Sequence, residues 1–311
     1  MEVIHGLENY SFISDHSIVA IGNFDGVHLG HQKILRFLEK KEKEFKLFSL
    51  VLTFFPHPGQ ILGKNGIKMI QTLDQRIREI NKFNIQAVLI IPFDERFASL
   101  SGQDFIREIV LNKLKAKAVI VGENFYFGKN REGDTALLHR LSSKYNFRIC
   151  PVLSVIKERK TVSSSLIRNF LQEGKVEEVS GLLGRSYEIE GKVIKGQSRG
   201  KSLGFPTANI ETENEIIPQG VFITQTRIGT KILPSMTNVG SQPTFGQQDL
   251  NIESYILNFE GNLYGENIGI RFLKKIRNEI KFRTPDDLAR QLEKDLEATQ
   301  AHFRTKSKII D

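Results

Sequence analysis

The chain has 311 residues, 40% hydrophobic and 26% charged, the composition of a folded protein of about two domains rather than a disordered or fibrous one. It carries no uncharged apolar stretch of about 18 residues, no basic start and apolar run at Met1–Tyr10, and one cysteine, Cys150, that can close no intramolecular disulfide. A soluble cytoplasmic protein is expected, with no membrane contact and no cysteine metal cage. The formal charge of +8 is spread as +6 over residues 1–180 and +2 over 181–311. That excess suits small anions such as nucleotides and does not require a nucleic acid.

Up to about residue 180, short apolar runs alternate with helical patterns. Ile18–Ile21, Leu47–Phe54, Ala87–Ile91 and Ala118–Val121 read as strands buried on both faces. Gly30–Lys43, Leu73–Phe83 and Gln103–Leu114 are amphipathic helix candidates between them. This alternation predicts an α/β domain with a Rossmann-like parallel sheet, whose ligands bind beyond the carboxyl ends of the strands. After Gly181-Leu-Leu-Gly184 the pattern turns to extended segments broken by Gly, Pro and Asn. Gly220–Arg227 with Lys231–Leu233, and Ile252–Phe259 with Asn262–Tyr264, read as two hairpins. Thr284, Pro285, Asp286 and Asp287 open a last helix, striped by Leu288, Leu292, Leu296 and Phe303. The second half is therefore predicted as a mostly antiparallel β-barrel closed by a C-terminal helix, with domains at 1–182 and 183–311.

The first strand runs into Gly22-Asn-Phe-Asp-Gly-Val-His28-Leu-Gly30-His31 and then a helix. Glycines let the backbone approach a ligand closely, and the helix start offers free N–H groups to phosphate. His28 and His31 lie one turn apart, so both can reach one phosphate chain and stabilise charge building on it. Further on, His57 stands in a loop after a buried strand. Phe125 and Phe127 follow another and offer flat surfaces to an aromatic ring. Ser163, Ser164 and Ser165 precede a helix that places Arg168 one turn on.

The motif Gly22–His31, with Phe54-Phe-Pro-His-Pro58, Val121–Gly128 and Val162–Arg168 in the same order, resembles the bacterial bifunctional riboflavin kinase/FAD synthetases. Their N-terminal half is similar to the His-x-Gly-His nucleotidyltransferases. The resemblance implies transfer of AMP from ATP to FMN, with His28, His31 and Arg168 catalytic. Gly22, Phe24, Asp25, Gly30, Ser163, Ser164 and Ser165 would hold ATP, and His57, Asn124, Phe125 and Phe127 the flavin. Asn124 stands where many relatives carry Asp, so it implies ligand positioning rather than acid–base work.

In the second half, Gly191–Gly200 followed by Leu203-Gly-Phe-Pro-Thr-Ala-Asn209 resembles the riboflavin kinase motif. Gly196, Arg199 and Lys201 can wrap phosphates, and Thr207 and Asn209, two apart on one face, offer hard neutral oxygens to Mg²⁺ on ATP. Strand alternation puts Glu253 and Tyr255 on one face and Ile252, Ser254 and Ile256 on the other. The resemblance makes Glu253 the general base for phosphorylation of riboflavin. It implies riboflavin, FMN, FAD and ATP as partners, flavins being substrates and products, and leaves a weak homo-oligomer open.

Overall fold

Runs that are apolar at every position must be covered on both faces. In the computed structural model, which describes residues 1–11, 16–63, 66–196, 204–244 and 247–307, they are. β2 (Ser17–Ile21) is buried throughout, and β3 (Phe48–Phe55), β4 (Ala87–Pro92) and β5 (Ala116–Gly122) along most of their length. They lie parallel in a six-stranded sheet of order β1-β4-β3-β2-β5-β6. Its edges, β1 (Glu2–His5) and β6 (Arg148–Val152), are outside the predicted set. Each face carries its own apolar core, one around Leu50, Leu89 and Val119, the other around Ile18, Val51 and Ile90.

Helices α1 (Leu29–Phe45) and α2 (Leu73–Ile80) stand where the periodicity puts them. The third expected helix is different: a single α-turn at Gly102–Asp104 continues as a π-helix over Phe105–Lys113. It sets Phe105, Ile106, Ile109 and Val110 into the core. A further helix, α3 (Thr135–Tyr145), leads into β6.

The chain divides into two compact units, Met1–Ser164 and Ser165–Asp311. The second holds α4 (Ser164–Gln172), almost entire, and α5 (Val176–Leu183). Helix α5, which the expected boundary at 182/183 leaves with the first half, packs on β9 (Tyr187–Ile194) and β14 (Asn267–Arg277). The barrel is closed and antiparallel, ordered β10-β13-β12-β11-β14-β9, with β10 at Ala208–Thr212, β11 at Gly220–Ile228, β12 at Lys231–Thr244 and β13 at Gln247–Ile256. The β11/β12 hairpin turns where predicted, with Ile228 opposite Lys231. The second expected hairpin does not form. Both edges of β13 are already bonded, to β12 and β10, so the chain leaving Ile256 crosses to β14, which pairs with β11 and β9.

The last helix, α6 (Pro285–Ser307), begins as predicted: the Asp287 N–H donates to Thr284 Oγ1 at 3.2 Å, and the Thr284 hydroxyl donates to the Asp287 carboxylate at 2.8 Å. It packs on β12. Its leucine stripe is only half-buried, whereas Asp295 is 1% exposed. Arg277 of β14 clamps that carboxylate through Nε at 3.1 and 3.0 Å and Nη2 at 2.7 Å, and Gln291 donates to it at 2.9 Å. Losing one partner leaves the other charge poorly compensated, a cost of about 3–5 kcal/mol for buried pairs. Asp295→Ala is expected to lower the barrel unit's calorimetric transition by an amount near the bottom of that range, because Arg277 keeps some water. The apolar swap Arg277→Met with Asp295→Leu should recover most of the loss.

Candidate active sites

The turn from β2 into α1 is built on strain held by burial. Phe24 (φ 51°) and Val27 (φ 37°) both adopt left-handed backbone, which is costly for a β-branched residue. Both side chains are buried to 1% exposure or less. Between them the Asp25 carboxylate, itself 1% exposed, accepts the Ile70 N–H at 3.1 and 3.2 Å, and the Asp25 carbonyl accepts the Ser164 hydroxyl at 2.8 Å. Asp25, expected among the phosphate-binding residues, thus spends its carboxylate on the turn itself.

This clamp delivers His28 to the start of α1. Its Nδ1 accepts the His31 N–H at 3.3 Å, so a neutral His28 carries its proton on Nε2. The His28 and His31 rings stack with centroids 3.7 Å apart and planes 16° apart, and Phe24 lies 5.2 Å from His31 on centroids. Gly30 leaves room for this: a Cβ there would come 3.1 Å from the His28 ring. Ser163 and Ser164 follow in chain order, while Ser165 and Arg168 lie on α4 in the second unit.

Beside the turn is a cavity of about 350 Å³, walled by Gly22 and Asn23 on one side and by His57, Asn124, Phe125 and Phe127 elsewhere. All four flavin-site residues expected from the sequence therefore reach one pocket. His57 caps the short helix Pro58–Ile61 by accepting the Gly59 N–H at 3.0 Å, and its Nε2 lies 3.2 Å from the Asn23 amide. Phe125 and Phe127 stack at 5.4 Å and 15°. Phe54, Phe93, Phe97 and Phe105 extend the wall, in contact along the series Phe93–Phe54–Phe97–Phe105–Phe127. Sequence reasoning missed Phe93, Phe97 and Phe105, whose only signal is 22 phenylalanines with no tryptophan, whereas Phe54 opens a motif already singled out. It also missed Arg76, a fully buried guanidinium that donates to the Phe54 carbonyl at 3.1 Å. Next to Asn124, the Ser154 hydroxyl and N–H hold the Glu123 carboxyl below the usual carboxylate range.

On the barrel, strand register makes the second site. Asn209 of β10 and Asn238 of β12 are the partners of Glu253 on either side of β13, so the three side chains share one face in a line across three strands. Ile252 and Ser254 turn inward and are buried to 1% or less, as alternation predicts. Glu253 accepts from the Asn251 amide at 2.6 Å, a partner two residues back on the same face that the period of two could have revealed. Tyr255 meets Phe205 edge-on at 5.4 Å. Asn209 is 8% exposed and abuts Gly196, where any Cβ would collide with its amide. Thr207 precedes β10, half-buried. Arg199 and Lys201 lie outside the described residues. Arg271 is absorbed in an ion pair with Glu188 at 2.7 Å.

These two sites can be set against known proteins. Residues 12–166 match the FAD synthetase family and residues 183–303 the riboflavin kinase family. A curated relative from Buchnera aphidicola subsp. Schizaphis graminum, the bifunctional riboflavin kinase/FMN adenylyltransferase, is 38% identical over 97% of this chain and 99% of its own. The chain belongs to that family. The Haemophilus influenzae member is 35% identical over 98% of this chain and all of its own. A solved structure from Streptococcus pneumoniae, described as a macrolide-efflux protein, superposes with a TM-score of 0.89 at 28% identity, over 96% of this chain and 99% of that one. Among the described residues here, no helix is long and apolar enough to cross a membrane.

The clamp on the turn is testable in this family's own assay. Asp25→Ala leaves the buried Ile70 N–H without its acceptor, a loss of about 1–3 kcal/mol. FAD formation from FMN is expected to fall at least about tenfold as the turn relaxes, while FMN formation from riboflavin holds.

Proposed function

We propose that the first unit adenylylates FMN at the His28/His31 turn and the second phosphorylates riboflavin along the Asn209–Glu253–Asn238 line. The family's activities are those of a riboflavin kinase and FMN adenylyltransferase of flavin cofactor biosynthesis. The observation that carries the residue-level reading is that Gly22 and Asn23, at the root of the histidine turn, also wall the aromatic cavity. A flat ring system seated among Phe125, Phe127 and Asn124 has its polar tail next to a helix N-terminus.

For adenylylation, a phosphate oxygen of FMN attacks the α-phosphorus of ATP. The bond from that phosphorus to the α–β bridging oxygen breaks, and pyrophosphate leaves with the electron pair. The nucleophile is already an anion, so no base is needed. His28, His31 and the N–H groups of α1 stabilise the charge that gathers on the α-phosphate. Gly22, Phe24, Asp25 and Gly30 shape the turn, and Ser163 and Ser164 supply hydroxyls to phosphate oxygens. His57 and Asn124 position the flavin.

For phosphorylation, the ribityl 5′-hydroxyl attacks the γ-phosphorus of ATP, its proton passes to Glu253, and ADP leaves. Asn251 orients the Glu253 carboxylate. Mg²⁺ arriving on ATP fits the donor set, because Thr207 and Asn209 offer hard neutral oxygens and Asn209 is pinned between Gly196 and Glu253. When bound it neutralises phosphate charge. Gly196, Arg199 and Lys201 belong to the loop that wraps the phosphates. The setting is a reducing cytoplasm with no nucleic-acid partner. Burial pushes the Cys150 thiol up, away from reactive thiolate.

Removing both imidazoles with His28→Ala and His31→Ala is expected to abolish FAD formation and let FMN accumulate when riboflavin and ATP are supplied and the flavins separated. Loss of both products from a folded variant would undo the division of labour. Glu253→Gln keeps the shape and loses the basicity, so kcat for FMN formation should fall about 10²–10⁴-fold with much smaller changes in KM. Adenylylation of supplied FMN serves as the control, and a kinase kcat within about threefold of wild type would make Glu253 structural, threefold being only about 0.65 kcal/mol.

A further inference from the structure

Five hydroxyls sit inside the barrel behind the Glu253 face. Thr224 and Thr226 come from β11, Ser235 and Thr237 from β12, and Ser254 from β13, and all five residues are fully buried. Neighbouring positions on β9, β11 and β14 carry Glu188, Glu190, Arg227 and Arg271, joined in partly exposed ion pairs, so the hydroxyl face is the inner one. The contacts close into a ring: Thr224–Ser235 at 2.8 Å, Ser235–Thr226 at 2.9 Å, Thr226–Ser254 at 3.2 Å, Ser254–Thr237 at 3.0 Å and Thr237–Thr224 at 2.7 Å. Thr226 donates to Ser235 and Thr237 donates to Ser254. With Ser235 donating to Thr224, Thr224 to Thr237 and Ser254 to Thr226, each hydroxyl gives one hydrogen bond and takes one in a single sense around the ring. Bonds chained this way polarise and strengthen one another.

The ring belongs to one register only. Thr237 lies opposite Ser254, and the next pair along is Asn238 opposite Glu253. A slip of β12 against β13 by two residues keeps the faces but sets Thr237 against Ile252 or Ile256, leaving a buried hydroxyl facing a hydrocarbon side chain. A slip of one carries Glu253 into the core. An all-apolar interior would penalise the two-residue slip far less. Because successive residues of a strand point oppositely, fixing Thr237 and Ser254 inward also fixes Asn238 and Glu253 outward.

We propose that the hydroxyl ring is a positioning device for phosphoryl transfer, locking β11, β12 and β13 so that Glu253 and Asn238 stay opposite one another. Thr237 and Ser254 are then positioning residues that act through Glu253, and the proposal rests on the reading of Glu253 as general base. A base displaced by a fraction of its reach still lets substrates bind, but it transfers the proton poorly, so the cost appears in kcat rather than KM.

The test uses the full-length protein. Thr237→Val keeps the shape and opens the ring. Thr237→Val with Ser254→Ala removes two adjacent members together and, like the single variant, leaves two flanking hydroxyls each short one bond, here Thr224 and Thr226, so it opens the ring further without adding an unmatched group. Either is expected to lower kcat for FMN formation about 10- to 100-fold, with the KM for riboflavin and ATP within about threefold and adenylylation of supplied FMN unchanged. Thr237→Ser, which restores the hydroxyl, should return kcat to within about threefold of wild type. Placed in a Glu253→Gln background, Thr237→Val should cost less than about threefold more, since no base remains to misplace. A damaging Glu253→Gln beside a silent ring variant overturns the ring proposal alone. So do losses that multiply in the combined variant, a serine that fails to rescue, or a barrel that unfolds in both ring variants. A silent Glu253→Gln removes the general-base reading and the proposal with it.

Discussion

Val27 is β-branched, sits at a φ of 37° and is 1% exposed, and its neighbour in sequence is His28. A conformation that unfavourable persists only where the surroundings dictate it. Here they do, through Phe24 and Val27 in the core and Asp25 bonded at both carboxylate and carbonyl. The same arrangement recurs on the barrel. Glu253 stands between Ile252 and Ser254, and Asn238 between Thr237 and Val239, all four neighbours buried to 1% or less. Each candidate site residue is thus carried on a backbone whose adjacent side chain is buried. A buried anchor restricts χ and backbone motion together, which is how a site is held near productive geometry without crowding the ligand.

The interior of the barrel shows what this costs. Five hydroxyls inside it, and the Arg277–Asp295 pair between β14 and α6, occupy volume that valine, leucine or methionine could fill with fewer demands. Hydrocarbon packs in many arrangements of similar energy, whereas a closed hydrogen-bond ring and a clamped carboxylate are satisfied in one. Polar groups in these places trade some stability for a single register and a single seat for α6.

How legible this was in the sequence depended on the range of the interactions. The central strands announce themselves because a parallel strand covered on both faces is apolar at every position, and Ile18–Ile21 and Ala87–Ile91 are. The edge strands β1 and β6 are half-exposed and lack that mark. Glu253 was readable because alternation is local, and His28 and His31 because one helical turn is local. The hairpin after Ile256 was misread because proximity in sequence suggests pairing, while barrel closure had already consumed both edges of β13. The phenylalanine wall draws on four separated segments, and the hydroxyl ring on the register of three strands. Neither has a pattern within any one window. The π winding buries Phe105 and Ile109 four apart, a spacing that ordinary winding also serves, so the period of Gln103–Leu114 does not distinguish the two.

The distribution of carboxylates matches the demands of the two proposed steps. Attack by a phosphate oxygen requires no proton to be removed, and a nearby carboxylate would repel both the nucleophile and the triphosphate. None of the described residues lining the cavity is acidic, and Arg131 is among them. Asp25, the acid in the glycine-rich turn, is buried and faces Ile70, whose N–H it accepts on both carboxylate oxygens. Attack by a ribityl hydroxyl is the opposite case: its proton must go somewhere as the bond to phosphorus forms. There a carboxylate lies in the open line between two asparagines, with a third asparagine donating to it. Amide neighbours can orient the carboxylate and bind phosphate-bound metal without adding negative charge beside the incoming ATP, which a second acid in the line would do. The same side-chain chemistry is therefore buried and bonded in one unit and half-buried beside two asparagines in the other, the contrast that the two proposed attacking atoms call for.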